Sequence, residues 1–300
     1  MDEGIFTLPG GYIDESGVPH FEVELAPLTG REEELLANVP ANAPAAKVVT
    51  ALLSRCLKRI GALETINAAL VRNLLVGDRD FLIIKLREIT FGQRVEAVLY
   101  CPNAACKKPL DVTFSLGNVP VAGKAITQRF FTMPLPSHPA SEPGEENEPV
   151  FVEFRLPTGA DQEALVADFN ADATRAVHQL LARCVSRIGR ATHIDETVIA
   201  ALPASTHEAI EKKMQQLAPQ VELEMTAVCP ECQTPFVTSF DFVAFFWGEA
   251  KGNLCQLERE VHFLAWHYHW PEPTILSMTR PKRRRYVELL QEEIARFSQH

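Results

Sequence analysis

The 300-residue chain has no apolar stretch long enough to cross a membrane, no excess of positive charge, and none of the short motifs that mark common hydrolases. Its longest apolar runs, such as Leu82-Ile83-Ile84, are broken by Lys or Arg within a few residues; a spanning helix needs roughly 20 apolar residues. The amino terminus, Met1-Asp2-Glu3-Gly4, is acidic and has no apolar core segment. It predicts no secretory leader and a cytoplasmic site of synthesis. Lys and Arg number 29 against 39 Asp and Glu, a net charge of −10. A protein that coats nucleic acid or anionic membrane needs the opposite balance. Neither G-x-S-x-G nor H-E-x-x-H occurs. Gly117 to Lys124 resembles a phosphate loop only on the surface. Five residues separate Gly117 from Gly123, and Ala125 stands where a magnesium-binding hydroxyl is needed. His262, His267 and His269 are spaced by five and two, so no helix puts all three on one face, and packing or surface roles are expected.

What is present is a doubled pattern. The segment around Cys56, Leu52-Leu53-Ser54-Arg55-Cys56-Leu57-Lys58-Arg59-Ile60-Gly61, matches Leu180-Leu181-Ala182-Arg183-Cys184-Val185-Ser186-Arg187-Ile188-Gly189. The step is 128 (184 − 56), and it also carries Ile66 to Ile194, Leu74 to Leu202, Leu86 to Met214 and Cys101-Pro102 to Cys229-Pro230. Upstream the step becomes 129, pairing Leu28-Thr29-Gly30 with Pro157-Thr158-Gly159. Each copy runs from a β-like segment through helices to a β-rich cysteine end, from Glu22 to Leu116 and from Phe151 to Phe245. The fold class is therefore α+β: two tandem copies of a helical module, each ending in a β-hairpin knuckle, followed by a helical tail. The expected division is 1–116, a linking segment 117–150, 151–248, and the tail 249–300.

Each copy checks the other. Thr29 with Glu32, and Thr158 with Asp161, have the spacing of a helix N-cap answered by a carboxylate. Asp78 corresponds to Thr206; the two residue types share an aptitude for capping, which predicts Asp78 as an N-cap. The rival, a functional carboxylate pair of Asp78 and Asp80, is disfavoured because Thr206 lacks that chemistry. Met133 to Pro149 is rich in Pro and Glu and reads as a flexible loop. Its flanks, Thr127 to Phe131 and Val150 to Arg155, are β-like and suited to pair across it. After Gly248, Leu254, Leu257, Val261, Leu264, Ala265 and Tyr268 recur at helical spacing. Pro271 and Pro273 stop that helix, and a second begins at Thr279-Arg280-Pro281.

Seven cysteines, an odd number, point to thiols and metal ligands rather than disulfides. Cys101-Pro-Asn-Ala-Ala-Cys106 and Cys229-Pro-Glu-Cys232 each sit between β-like runs, with Pro109 and Pro235 three residues past the second cysteine. Strand, cysteine pair in a turn, strand is the knuckle of a zinc ribbon. Two knuckles supply four thiolates, which predicts one structural Zn²⁺ held by Cys101, Cys106, Cys229 and Cys232 between the copies. The competing readings are turn cysteines without metal, or a site in one copy only, because the first spacing is the looser C-x4-C. A redox role is disfavoured, since neither pair opens a helix. Cys56 and Cys184 read as buried mid-helix hydrophobes. In the tail, Lys282-Arg283-Arg284-Arg285 reads as a solvated face or a contact for an acidic partner. Trp266, Tyr268 and Trp270, with Arg284 and Tyr286, suggest a docking surface for a partner.

Pro27-Leu28-Thr29-Gly30-Arg31-Glu32, Leu75-Val76-Gly77-Asp78-Arg79-Asp80, the two Cys-Pro turns, Phe154-Arg155-Leu156-Pro157-Thr158-Gly159 and Phe245-Phe246-Trp247 occur in that order. Together they resemble the baseplate hub assembly proteins of T-even-type bacteriophages and of phage-derived contractile injection systems, over Leu25 to Trp247. The chain departs from that pattern in the wide spacing of Cys101 and Cys106 and in Gly248, where a proline is common. The resemblance implies a non-enzymatic structural or assembly role, with other tail proteins as partners and chaperoning of a tape-measure protein as one form of it. The alternative class is a zinc-ribbon module that binds nucleic acid.

Overall fold

The computed structural model describes residues 4–40, 42–135, 150–222 and 224–297, leaving out the side chains of 166–171. The first half opens with β1 (Gly4–Ile13) and β2 (Pro19–Leu25), then α1 (Gly30–Ala37) and α2 (Ala45–Cys56). Next comes β3 (Leu57–Ile60), which completes an antiparallel sheet of order β1-β2-β3. Then follow α3 (Ala68–Asn73), α4 (Val76–Phe91) and the ribbon of β4 (Arg94–Tyr100) with β5 (Pro109–Ser115). The connection carries β6 (Val121–Ala122) and β7 (Phe131–Pro134).

The second half runs through β8 (Phe151–Phe154), α5 (Gly159–Ala171), α6 (Ala173–Cys184), β9 (Val185–Ile188), α7 (Glu196–Ala200) and α8 (Ala204–Leu217). β10 (Gln220–Val221) pairs with β6, and β11 (Glu224–Val228) forms a ribbon with β12 (Pro235–Ser239). The chain ends in α9 (Phe242–Gly252), α10 (Leu254–Tyr268), α11 (Glu272–Leu276) and α12 (Arg280–Phe297). Helices and antiparallel sheets are thus mixed, as an α+β chain requires. A hairpin forms, with Phe131 opposite Phe154 and Pro134 opposite Phe151, but its first strand is shifted: residues 127–130 carry no strand, and Met133 and Pro134, expected in the loop, are paired. The rest of the loop expected at Met133 to Pro149 lies, from 136 on, outside the described residues.

The register of the two sheets agrees. Val23 faces Ile60, Glu24 faces Arg59 and Leu25 faces Leu57; Val152 faces Ile188, Glu153 faces Arg187 and Phe154 faces Val185. Both show the same shift after the charged pair. Cys56 and Cys184 are buried, but neither is mid-helix: each is the last helical residue, and the next residue already belongs to a strand. Leu57–Ile60 and Val185–Ile188 each set two polar residues between apolar ends, and their pairing with β2 and β8 overrides the helical reading of the cysteine positions.

Thr29 and Glu32 form the expected reciprocal capping box at α1. The Asp161 carboxylate accepts from Thr158 N at 2.9 Å in the same way. Asp78 is not an N-cap. That place is held by Leu75, and Asp78 lies inside the first turn of α4. Its buried carboxylate instead accepts from Gly10 N (2.8 Å) and Gly11 N (3.1 Å). The strand is kinked there, with a register shift between Thr7 and Tyr12 and Gly11 at φ 96°, a conformation glycine adopts without strain. Burial pushes the Asp78 carboxyl up to about 7, against the pull of those two amides. Thr206 has the matching place inside α8, whose N-cap is Pro203, so the pair share a position without capping.

Two apolar cores result. The first unites β1–β3, α2 and α4 with Phe240, Phe242, Phe246 and Ala250 from the far end of the chain. The second is smaller and gathers Val152, Phe154, Leu181, Ile199, Ile210 and Met214. α9 runs through Gly248, so no break in structure falls at that residue. The basic run of α12 is not wholly a solvated face. Arg283 is 1% exposed and bonds Glu33 (2.9 Å) and Glu260 (2.7 Å), both buried. Desolvating these charges is repaid only because each finds a close partner of opposite sign.

Candidate metal centre

The two ribbons carry one cysteine pair each at their tips. Tyr100 faces Pro109 and Val228 faces Pro235 as the last rungs, so both chains turn immediately afterwards. In the first turn Cys101 N donates to Lys108 O (2.9 Å) and Cys106 N to Asn103 O (2.9 Å). In the second, Cys229 N donates to Thr234 O (3.1 Å) and Gln233 N to Cys229 O (2.9 Å). The residue after each second cysteine, Lys107 (φ 50°) or Gln233 (φ 57°), is left-handed. That uncommon conformation for non-glycine residues folds the second thiol back toward the first.

The four sulfurs converge. All lie within 4.8 Å of one another, with Cys101 Sγ 3.6 Å from Cys232 Sγ and Cys106 Sγ 3.8 Å from Cys229 Sγ. Four ligands at the usual Zn–S length of roughly 2.3 Å, placed tetrahedrally, have sulfur–sulfur edges of about 3.8 Å. The cluster is therefore compatible with a zinc site despite its unequal spacings. Cys101 and Cys229 are buried, and Cys106 and Cys232 are half-buried. Burial pushes the Cys101 thiol up to about 12, while hydrogen bonding from Thr234 draws Cys232 down to about 6. Four thiolates this close repel strongly unless a cation lies among them, and a bound metal deprotonates its thiols. Asn103 was not singled out by sequence reasoning. Its amide donates to Thr234 Oγ1 (3.3 Å) and its carbonyl oxygen accepts from Ala105 N (3.0 Å), linking the two turns. The signal available was its place inside the longer cysteine loop.

Of the remaining candidates, three aromatic residues meet and two others stand apart. Tyr268 and Trp270 stack with centroids 4.6 Å apart, and Tyr286 meets Trp270 edge-on at 5.0 Å. Trp266 stands apart, 71% exposed, and Arg284 reaches Glu260 at 3.5 Å. The histidines do not converge: His262 neighbours Trp266, His267 meets Phe263, and His269 is the left-handed C-cap of α10. Asp80 makes no pair with Asp78; Asp78 is spent on the β1 amides, and burial raises the Asp80 carboxyl to about 6. Cys184, pushed to about 12 by burial, is an unreactive thiol. Among the described residues no other group of three or more His, Cys, Asp or Glu is placed to hold an ion. A shell of four thiolates leaves no position for water or substrate, which is the geometry of structural rather than catalytic zinc.

No helix among the described residues is long and apolar enough to cross a membrane. No curated protein and no solved structure matches the chain. A family model described as T4 bacteriophage base plate protein matches residues 6–247, a span that takes in both sheets, both cysteine ribbons and most of α9. By that match, which covers well over half its length, the chain belongs to the T4 bacteriophage base plate protein family.

Proposed function

We propose that this protein is a non-enzymatic structural or assembly component of a contractile phage-type tail, built from two copies of one module that a single Zn²⁺ staples at their cysteine ribbons. The observation that carries the reading is the meeting of Cys101, Cys106, Cys229 and Cys232, two from each half, with all four sulfurs within 4.8 Å of one another in a baseplate-family chain. The matching register of β2–β3 and β8–β9 supports the duplication. Ion binding at such a joint is folding free energy, because the ligands come together only in the folded chain. Its partners are other baseplate and tail proteins, met in the cytoplasm during assembly, and its role includes shepherding a tape-measure protein. A nucleic-acid role is less well supported: Arg283, one of the four basic residues at the start of α12, is buried in ion pairs.

Metal analysis of the purified chain tests the reading. One zinc per chain is expected, lost in Cys229→Ser together with a large drop in Tm. A metal-free wild type with unchanged melting in the variant would sink it. Capture of tail proteins, as opposed to salt-sensitive retention of DNA or RNA, separates the assembly role from nucleic-acid binding.

A further inference from the structure

The start of α4 docks on the start of α5 through a short antiparallel bridge between Leu75 and Thr158. Gly159 N donates to Leu74 O (3.0 Å), and Val76 N donates to Pro157 O (3.3 Å). Four residues beyond Leu75, Arg79 is fully buried against Gly159, where a Cβ would fall 1.7 Å from Nη1. The C-terminal arm repeats this arrangement on the first half. Thr279 bridges Thr29, and Gly30 N donates to Met278 O at 3.2 Å. Four residues beyond Thr279, Arg283 is buried with Nη1 3.1 Å from a Cβ on Gly30. Thr29-Gly30 and Thr158-Gly159 are the matched helix starts of the two halves. Two sockets are therefore filled by two plugs, 74–79 and 278–283.

A third segment occupies the plug's place without a socket. Leu202 to His207 corresponds to Leu74 to Arg79 at the step of 128. His207 Nε2 contacts Ile199 O at 2.7 Å, as Arg79 Nη1 donates to Val71 O at 3.3 Å. Leu74 is fully buried, whereas Leu202 is half-buried and Pro203, Ala204 and Ser205 are exposed. Among the described residues Leu202 O and Ala204 N, the counterparts of the bridging atoms, have no backbone partner outside α8.

We propose that the C-terminal arm is a cap, occupying in cis a socket that would otherwise receive the Leu202–His207 plug of a second copy of this chain. The proposal rests on reading the two halves as copies. A contact between unlike surfaces does not close on itself, so plug-to-socket pairing propagates head to tail unless the free socket is filled. Terminal repeats of stacked arrays meet the same need with a capping element. The arm wins the socket because it is tethered, and because it offers Arg283 to Glu33 where α8 offers His207.

The test uses the full chain. Arg283→Glu sets a like charge against Glu33 and Glu260 and frees the arm, read as lost amide-exchange protection over α12. Sedimentation velocity should then show mass rising with concentration, where the wild type stays monomeric. Adding Ala204→Pro removes the N–H needed for the bridge at a first helical position, where proline is tolerated. The double variant should be a folded monomer with a free arm. Leu276→Ala, which trims the side chain resting against Gly30, gives a gentler release should the charge reversal unfold the protein. A freed arm on a monomer, self-association untouched by Ala204→Pro, or an arm still protected in both release variants would each overturn the proposal. Zinc content of the same samples reports the two-module reading separately: zinc retained without self-association removes the cap alone.

Discussion

The two halves share a register and a set of elements, but they are not equally enclosed. The core of the first half takes in Phe240, Phe242, Phe246 and Ala250 from beyond the second ribbon, and its α1 is covered by the C-terminal arm. The second half has a smaller core, and its helix start at Thr158-Gly159 is covered by residues 74–79 of the first half, not by the C-terminal arm. The buried polar positions follow suit. Where the first half carries the fully buried Asp78 and Arg79, the second carries Thr206 and the half-buried His207. A position can hold a charge when other chain segments supply its partners, as Gly10 and Gly11 do for Asp78. Similar sequence patterns thus yield one half wrapped by the end of the chain and one that leans on its neighbour through the start of α4 and on the ribbon joint.

That difference can be tested from its largest consequence downward. Stripping the metal under reducing conditions should remove a term of order 10 kcal/mol, the scale of structural zinc binding in small peptides. Amide exchange should then rise first in α6, α7 and α8, and later in α2 and α4; simultaneous loss would mean that the halves unfold as one unit. Next in size, Phe246→Ala should cost about 3–5 kcal/mol, the range for deleting a buried aromatic ring. The damage should appear in the first half, although Phe246 follows the second ribbon in sequence. Exchange confined to the second half would contradict the wrapped core.

A smaller effect is expected from pH. The Asp78 carboxyl is raised in the folded state to about 7, above its ordinary value of 3.8. The folded state therefore holds a proton that the unfolded state has lost between those values, and this group's contribution to stability falls as pH rises from about 4 to 7. Asp78→Asn removes the dependence, so the variant's Tm should gain on the wild type between pH 5 and 8. A constant gap would mean that the carboxyl titrates at its ordinary value. Asp161 provides the opposite sign. Against the burial that would raise it, hydrogen bonds from Arg155, Thr158 and Arg183 hold its pKa at about 2. Its contribution is present above pH 4 and lost as pH falls toward 2. Smallest of all, Trp266→Ala should change stability by no more than about 0.5 kcal/mol, as exposed sites usually do, while weakening capture of a tail partner. Unaltered capture would remove Trp266 from the docking surface.

Sequence patterns reached those parts of the fold whose causes are local. The alternation before Cys101 and after Pro235, the Thr29–Glu32 box, and the spacing of Leu257 with Leu264 each lie within a few residues, and the strands, cap and α10 formed accordingly. The four cysteines were legible because one sequence step, 128 residues, carries the first Cys-Pro turn onto the second. What escaped was long-range. The donors to Asp78 lie 67 and 68 residues away, so its role could not be inferred from helix position. Arg283 sits in a run that looks solvated, yet it is buried between Glu260 and Glu33, the latter 250 residues earlier. β1 contains Pro9, Gly10 and Gly11, residues that ordinarily break a strand, and only the amide bonds to Asp78 explain the kink they allow.

The helix-to-strand joints at Cys56 and Cys184 have a mechanical consequence. With no loop between α2 and β3, or between α6 and β9, there is no slack in which a displacement can dissipate. A pull on either sheet edge tilts the attached helix as a lever, and the load passes straight into the core behind it. Such a joint transmits force instead of absorbing it.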